Sequence, residues 1–85
     1  MIISWAEDAW QDYLYWQKQD KATLHRINLL IKDIKRYPFE GIGNPEPLKH
    51  NWSGYWSRRI NREHRIVYKI TSDKQLVIAQ CRYHY

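Results

Sequence analysis

The residues of this chain that can do chemistry crowd into one stretch, Pro45 to Ile70, and a short end, Cys81 to Tyr85. The stretch carries Glu46, Lys49, His50, Arg58, Arg59, His64 and Arg65 among aromatics, and the end, CRYHY, adds His84 and Tyr85. A carboxylate, guanidiniums and imidazoles together suit a phosphodiester. Cleaving RNA needs a base for the ribose 2′-OH, cations for the charge of the phosphorane, and an acid for the departing 5′-oxygen. Acid and base each contribute typically ~10²–10⁴-fold. Arginine suits the phosphate because its planar fork can bind two oxygens at once.

Each of these residues also has a plainer reading. Glu46, held between Pro45 and Pro47, either takes the 2′-OH proton or is a loop carboxylate paired with Lys49. Neighbouring cations make a carboxylate a weaker base, which counts against the first. Arg65 either clamps the scissile phosphate or is a solvated strand-end arginine. Lys49, Arg58 and Arg59 can add phosphate contacts. Arg58 and Arg59 are adjacent, so in a strand they point to opposite faces and only one joins the site. Parity groups Trp56 with Arg58 and Tyr55 with Arg59, and does not choose between the pairs. His84 suits the acid because imidazole titrates near neutrality; the other reading is a frayed end, against which the preceding strand pattern argues. Tyr85 can stack on a base or donate to phosphate. His25 reads as helix surface, His64 as a turn residue, and Cys81 as a small buried hydrophobe rather than a nucleophile.

The elements that must position these groups are legible in outline. Met1–Trp5 is β-branched and aromatic, a first strand. A helix follows over residues 6–19, with Ala9, Trp10, Tyr13, Leu14 and Gln17 on one stripe. Its start has Glu7 and Asp8 to favour the dipole but only Ala6 as a cap. Asp20 caps a second helix over residues 21–36, with Leu24, Ile27, Ile31 and Ile34 alternating in steps of three and four and Leu30 beside them. Pro38 ends it. Phe39–Pro47 is the one long loop. Beyond it the period switches to two, giving strands at Tyr55–Ile60, Arg65–Ile70 and Gln75–Tyr83 and a further short one near Leu48–Trp52. Short polar connections make the strands an antiparallel meander. In Arg65–Ile70 the set Ile66, Tyr68 and Ile70 should face the helices, and Arg65, Val67 and Lys69 should be open to ligand. The expected fold class is α+β: a two-layer sandwich in the order β-α-α-β-β-β, its mainly antiparallel sheet packed on a helical hairpin.

Composition bounds the function. The 85 residues make one domain, 1–85, with a thin core that five Trp and seven Tyr help to fill. A net charge of +5 favours polyanionic partners. A single cysteine excludes an internal disulfide and fits the reducing cytoplasm. No apolar run reaches the roughly 18 residues of a membrane span, and no secretory leader is visible. Scattered histidines with one cysteine make no zinc site, and no phosphate-binding glycine loop or serine elbow is present, so no cofactor is expected.

Three motifs resemble the YoeB toxins of the RelE/ParE superfamily: EDAWQDYLYWQKQDK near the start, YPFEGIGNPEPLKHNWSGYWSRRINREHRIVY in the middle, and the terminal CRYHY. The similarity runs over essentially the whole chain. It implies a RelE-like fold and a type II toxin that cuts mRNA in the ribosomal A site without a metal, leaving a 2′,3′-cyclic phosphate or 3′-phosphate and a 5′-OH. It maps the base onto Glu46, the phosphate-stabilising arginine onto Arg65 and the acid onto His84. Lys49, Arg59 and Tyr85 match further positions, which favours Arg59 over Arg58. It also implies a YefM-type antitoxin, operator DNA bound through the antitoxin complex, and a toxin homodimer. Two other readings stand beside it. One is a ParE-type binder that poisons gyrase, which has no need of the Glu46, Arg65 and His84 set. The other is a co-repressor acting only in promoter control.

Overall fold

A computed structural model describes residues 1–84. Tyr85, a candidate substrate contact, lies outside the described residues. The elements are β1 (Ile3–Trp5), α1 (Glu7–Gln19), α2 (Lys21–Arg36), β2 (Glu46–Pro47), β3 (Trp56–Arg59), β4 (Arg65–Ile70) and β5 (Leu76–Gln80). The strands form one sheet in the order β1-β5-β4-β3-β2. β3, β4 and β5 are the expected antiparallel meander, and β1 closes the far edge parallel to β5. The helical hairpin covers one face, so the two-layer α+β architecture holds.

The second helix forms for the local reasons visible in its sequence. The Asp20 side chain accepts the Thr23 N–H at 3.1 Å, and the Thr23 hydroxyl donates back to it at 2.8 Å. Tyr37 N–H closes the last turn on Asp33, and Pro38 stops continuation. Its stripe is core: Ile27, Leu30 and Ile34 are fully buried, and Leu24 packs against them. Ile66, Tyr68, Leu76 and Ile78 oppose them from the sheet.

The first helix departs from its expected stripe. Ala9 is buried and Tyr13 half-buried, but Trp10 is 40% and Leu14 37% exposed, while Trp16 is buried at 6%. The inward face runs Ala9, Asp12, Tyr13, Trp16. It is selected by polar bonds that hydropathy does not score. Trp16 Nε1 donates to the Cys81 carbonyl at 2.8 Å, and Asp12 accepts the Cys81 N–H at 3.1 Å. Ala6 gives no side-chain cap; instead its own N–H is held by Ile78 of β5 at 2.9 Å.

Two further corrections concern the sheet. The short strand expected near Leu48–Trp52 is Glu46–Pro47, paired to β3, and His50–Trp52 is a one-turn 3-10 helix. The last strand ends at Gln80 rather than Tyr83 because its pairing with β4 breaks register between Val67 and Tyr68. Tyr68 faces Ile78 but Val67 faces Gln80, so Ala79 is a bulge. A bulge inverts parity beyond it. Ile78 and Cys81 therefore both enter the core at a spacing of three, which strict alternation forbids.

Candidate active site

The register of the sheet places the candidate residues. Glu46 faces Ser57 across β2–β3, Ser57 faces Val67, and Val67 faces Gln80. Directly opposed residues share a face. Arg59 and Arg65 are the next row on that same face, two residues along. Glu46, Arg59 and Arg65 thus stand on the side away from the helices. Strand spacing and rise put the Glu46 and Arg65 backbones roughly 12 Å apart, a span that two long side chains can close over a phosphate. Val67 and Ser57, in the middle of this face, are buried, so the expectation that all of Arg65, Val67 and Lys69 open to ligand fails at Val67.

Glu46 and Arg59 are exposed and Arg65 is half-buried. The Glu46 carboxylate accepts a hydrogen bond from the Asn44 amide at 3.0 Å, and among the described residues the one ion pair is Arg58–Asp33 rather than Lys49–Glu46. Lys49 is exposed just beyond β2, beside a cleft of about 440 Å³ that Leu48, His50 and Trp52 also line. Arg65 is oriented by the hairpin turn before it, where its Nη1 donates to the carbonyls of Asn61 at 2.9 Å and His64 at 3.1 Å. That turn is built by Asn61, whose side chain accepts the N–H groups of Glu63 and His64 at 2.9 Å each.

The backbone just before His84 runs beside Arg65. The Arg65 N–H donates to the Tyr83 carbonyl at 3.0 Å, which carries the chain alongside the start of β4. Tyr83 has a φ of 65°, so the chain turns there. His84 is exposed and lines a cleft of about 310 Å³ with Asp8, Gln11 and Asp12 of α1. Glu46, Arg59 and Arg65 are thus brought together by strand register, whereas the His84 side chain lies at a cleft against α1 and only the backbone before it is bonded to Arg65.

Arg58 has the opposite fate to Arg59. It is fully buried, and all five of its N–H donors are used. Nε donates to the Tyr68 hydroxyl at 3.2 Å, Nη1 to the Asp33 carboxylate and to the Ile42 carbonyl at 3.1 Å, and Nη2 to the carbonyls of Tyr37 and, at 2.8 Å, Glu40. The Asp33 carboxyl is held below its usual pKa chiefly by the hydrogen bond from Arg58. Tyr68 donates in turn to the Pro38 carbonyl at 2.6 Å, and burial pushes its hydroxyl above the usual pKa. This knot ties the long loop to α2 and β3. Gly41 is needed there: its φ is 120°, and a Cβ would sit 2.0 Å from the Asp33 carboxylate.

Cys81 is inert, as expected of a small buried hydrophobe. It is fully buried, its thiol donates to the Ala9 carbonyl at 3.6 Å, and burial together with nearby Asp12 pushes its pKa up to about 12. His25 is exposed on α2. Among the described residues no group of three or more His, Cys, Asp or Glu is arranged to hold a metal ion, and no helix is long and apolar enough to cross a membrane.

Residues 5–85 match the model of the YoeB-like toxins of bacterial type II toxin–antitoxin systems. The chain belongs to that family. It is 62% identical to Toxin YoeB of Escherichia coli K12 over 85 residues, all of both chains. It is similar in structure to the Staphylococcus aureus YoeB in its heterotetrameric YoeB–YefM complex, with a TM-score of 0.91, 48% identity and coverage of 100% of this chain and 98% of that one. The S. aureus YoeB dimer matches with a TM-score of 0.92 at 49% identity, over 100% and 98% of the two chains.

Within this YoeB family member, His64 is the turn residue its sequence position indicates, but the part played by its ring was not foreseen. Its ring lies edge-on to Trp16 at 4.8 Å, and its Nδ1 accepts the Tyr83 N–H at 2.7 Å. The signal available was its position immediately before Arg65, at the end of an Asn-initiated turn, but nothing local names a partner 19 residues away.

Proposed function

We propose that this toxin is a ribosome-dependent mRNA endoribonuclease that cleaves messenger in the ribosomal A site and so inhibits translation. The observation that carries the reading is the open face shared by Glu46, Arg59 and Arg65, a carboxylate and two guanidiniums on three adjacent strands. Glu46 takes the proton from the ribose 2′-OH. The 2′-oxygen attacks the adjacent phosphorus in line, and the bond to the 5′-oxygen breaks. Arg65, with Lys49 and Arg59, braces the negative charge of the phosphorane, where preorganised donors are worth a few kcal/mol each. His84 protonates the departing 5′-oxygen. The products are a 2′,3′-cyclic phosphate, or the 3′-phosphate it hydrolyses to, and a 5′-OH. The scheme is complete without a metal. Tyr85 is proposed as a further substrate contact.

The YoeB–YefM assembly of the S. aureus relative supports a YefM-type antitoxin as partner, through which the toxin meets operator DNA, and the dimer supports self-association. The +5 charge suits the ribosome and mRNA, reached in the cytoplasm. The test is single-turnover cleavage on programmed ribosomes with transcript ends mapped. Glu46→Ala, Arg65→Ala and His84→Ala are each expected to lower the rate by at least ~10²-fold. Wild-type rates in all three would sink the assignment, and loss of cleavage in EDTA with intact ribosomes would count against the metal-free route.

A further inference from the structure

His64 is not among the residues assigned a part in cleavage, yet it touches both halves of the site. Its backbone carbonyl accepts from Arg65 Nη1 at 3.1 Å, and its ring holds the segment that carries His84. The Nδ1–N distance to Tyr83 is 2.7 Å, so Nδ1 is the acceptor and the ring carries its proton on Nε2. The imidazole cannot swing away freely. Its edge packs on Trp16, 4.8 Å between centroids at 78°, and the Tyr83 ring lies on it at 5.8 Å. Trp16 is itself fixed by its bond to the Cys81 carbonyl. The backbone of His64 is equally constrained, since its N–H is bonded to Asn61 and its carbonyl also accepts from Ile60 at 3.0 Å.

The segment it holds needs holding. Beyond Gln80, one residue past the bulge at Ala79, the chain has left the sheet, and Tyr83 takes a left-handed φ of 65°, which a bulky side chain disfavours. Two hydrogen bonds at Tyr83 offset that strain: its carbonyl accepts from the Arg65 N–H, and its N–H donates to the His64 ring. The first joins main-chain groups and needs neither side chain. The second depends wholly on the His64 ring.

We infer that His64 is a positioning residue: by accepting the Tyr83 N–H it sets the turn that aims His84 relative to Arg65. The inference rests on the reading of His84 as the acid. His64→Ala removes the acceptor. His64→Asn restores an oxygen at the Nδ1 position while discarding the ring.

The test pairs amide exchange at Tyr83, read by NMR on the full chain, with single-turnover cleavage on programmed ribosomes. His64→Ala is expected to lose protection at Tyr83 and to cleave about 10²-fold more slowly at saturating ribosomes, as a misplaced catalytic group does. His64→Asn is expected to recover most of both. A merely structural ring would give equal losses in the two variants, and that result overturns the inference. So does unchanged Tyr83 protection in His64→Ala, or an unchanged rate once protection is lost. If His64→Ala does not fold, His64→Phe tests the same latch, because it removes the Nδ1 acceptor and leaves an aromatic against Trp16. Unchanged protection and rate there overturn the inference as well. An inactive wild type is a different failure: it sinks the nuclease reading and takes the catalytic half of this inference with it.

Discussion

Arg58 and Arg59 are neighbours of identical chemistry with opposite uses. One is a fully buried structural hub whose five donors tie four chain segments together; the other is an exposed cation on the open face. Even their backbones differ in setting. Arg59 donates its N–H to Gly43 at 2.7 Å and accepts at its carbonyl from the Arg26 side chain at 3.2 Å, so its main chain is fixed while its side chain is exposed. The difference teaches that a guanidinium becomes structural only where enough acceptors converge to replace its water. Three loop carbonyls, a carboxylate and a phenol do that for Arg58.

The largest expected effect breaks this pair at its buried member. Arg58→Met leaves Asp33 and three carbonyls without their donor, and is expected to cost about 3–5 kcal/mol in urea unfolding. A variant as stable as wild type would show that the knot is not structural. Arg59→Ala is expected to do the reverse: stability within about 0.5 kcal/mol of wild type, measured by the same titration, and ribosomal cleavage down about 10-fold or more, the worth of one charged hydrogen bond. The comparison collapses if the two substitutions give the same profile.

A gentler probe is pH. The Asp33 carboxyl sits below its unfolded value because Arg58 binds its charged form, so the unfolded chain takes up the proton first. The pair's contribution is therefore fully present above about pH 4 and is lost as pH falls through the lowered folded value. Urea midpoints measured downward from pH 5 should fall in wild type and fall less steeply in Asp33→Asn. Parallel curves would show that another carboxylate governs the acid limb. The smallest effect lies far from both arginines. Asp20→Ala removes the cap on Thr23 and is expected to cost about 1 kcal/mol in thermal or urea unfolding. It should leave both the Arg58 knot and cleavage intact, which makes it the reference against which the arginine effects are judged.

Legibility followed the range of the interactions. The second helix was readable because its cap, stripe and proline stop are all local. Strand parity in β4 correctly sent Ile66, Tyr68 and Ile70 inward. The first helix misled because Asp12 and Trp16 bury themselves for hydrogen bonds to Cys81, and periodicity of apolar residues does not register a polar contact 65 or more residues away. Of the candidate site, the residue types and the opposed parity of Arg58 and Arg59 were visible. Which arginine turned inward was not visible from the residues, since that choice needs Asp33, Tyr37, Glu40 and Ile42 to arrive from elsewhere. The role of His64 was hidden for the same reason.

By itself the sequence determined the order of the elements, the helical hairpin, the antiparallel meander and the family. These rest on short-range propensity, on counting by two or by three and four, and on motifs continuous in the chain. Tertiary structure decided where the counting breaks. One extra residue at Ala79 inverts the parity of everything after it. It sends Cys81 to the core, ends the last strand early, and leaves Tyr83 to be turned and held by His64. A bulge has this reach because side-chain alternation has a period of two residues and no means of recovering after a single insertion. The path of the chain to His84 is set there, by pairing between strands that no local pattern records.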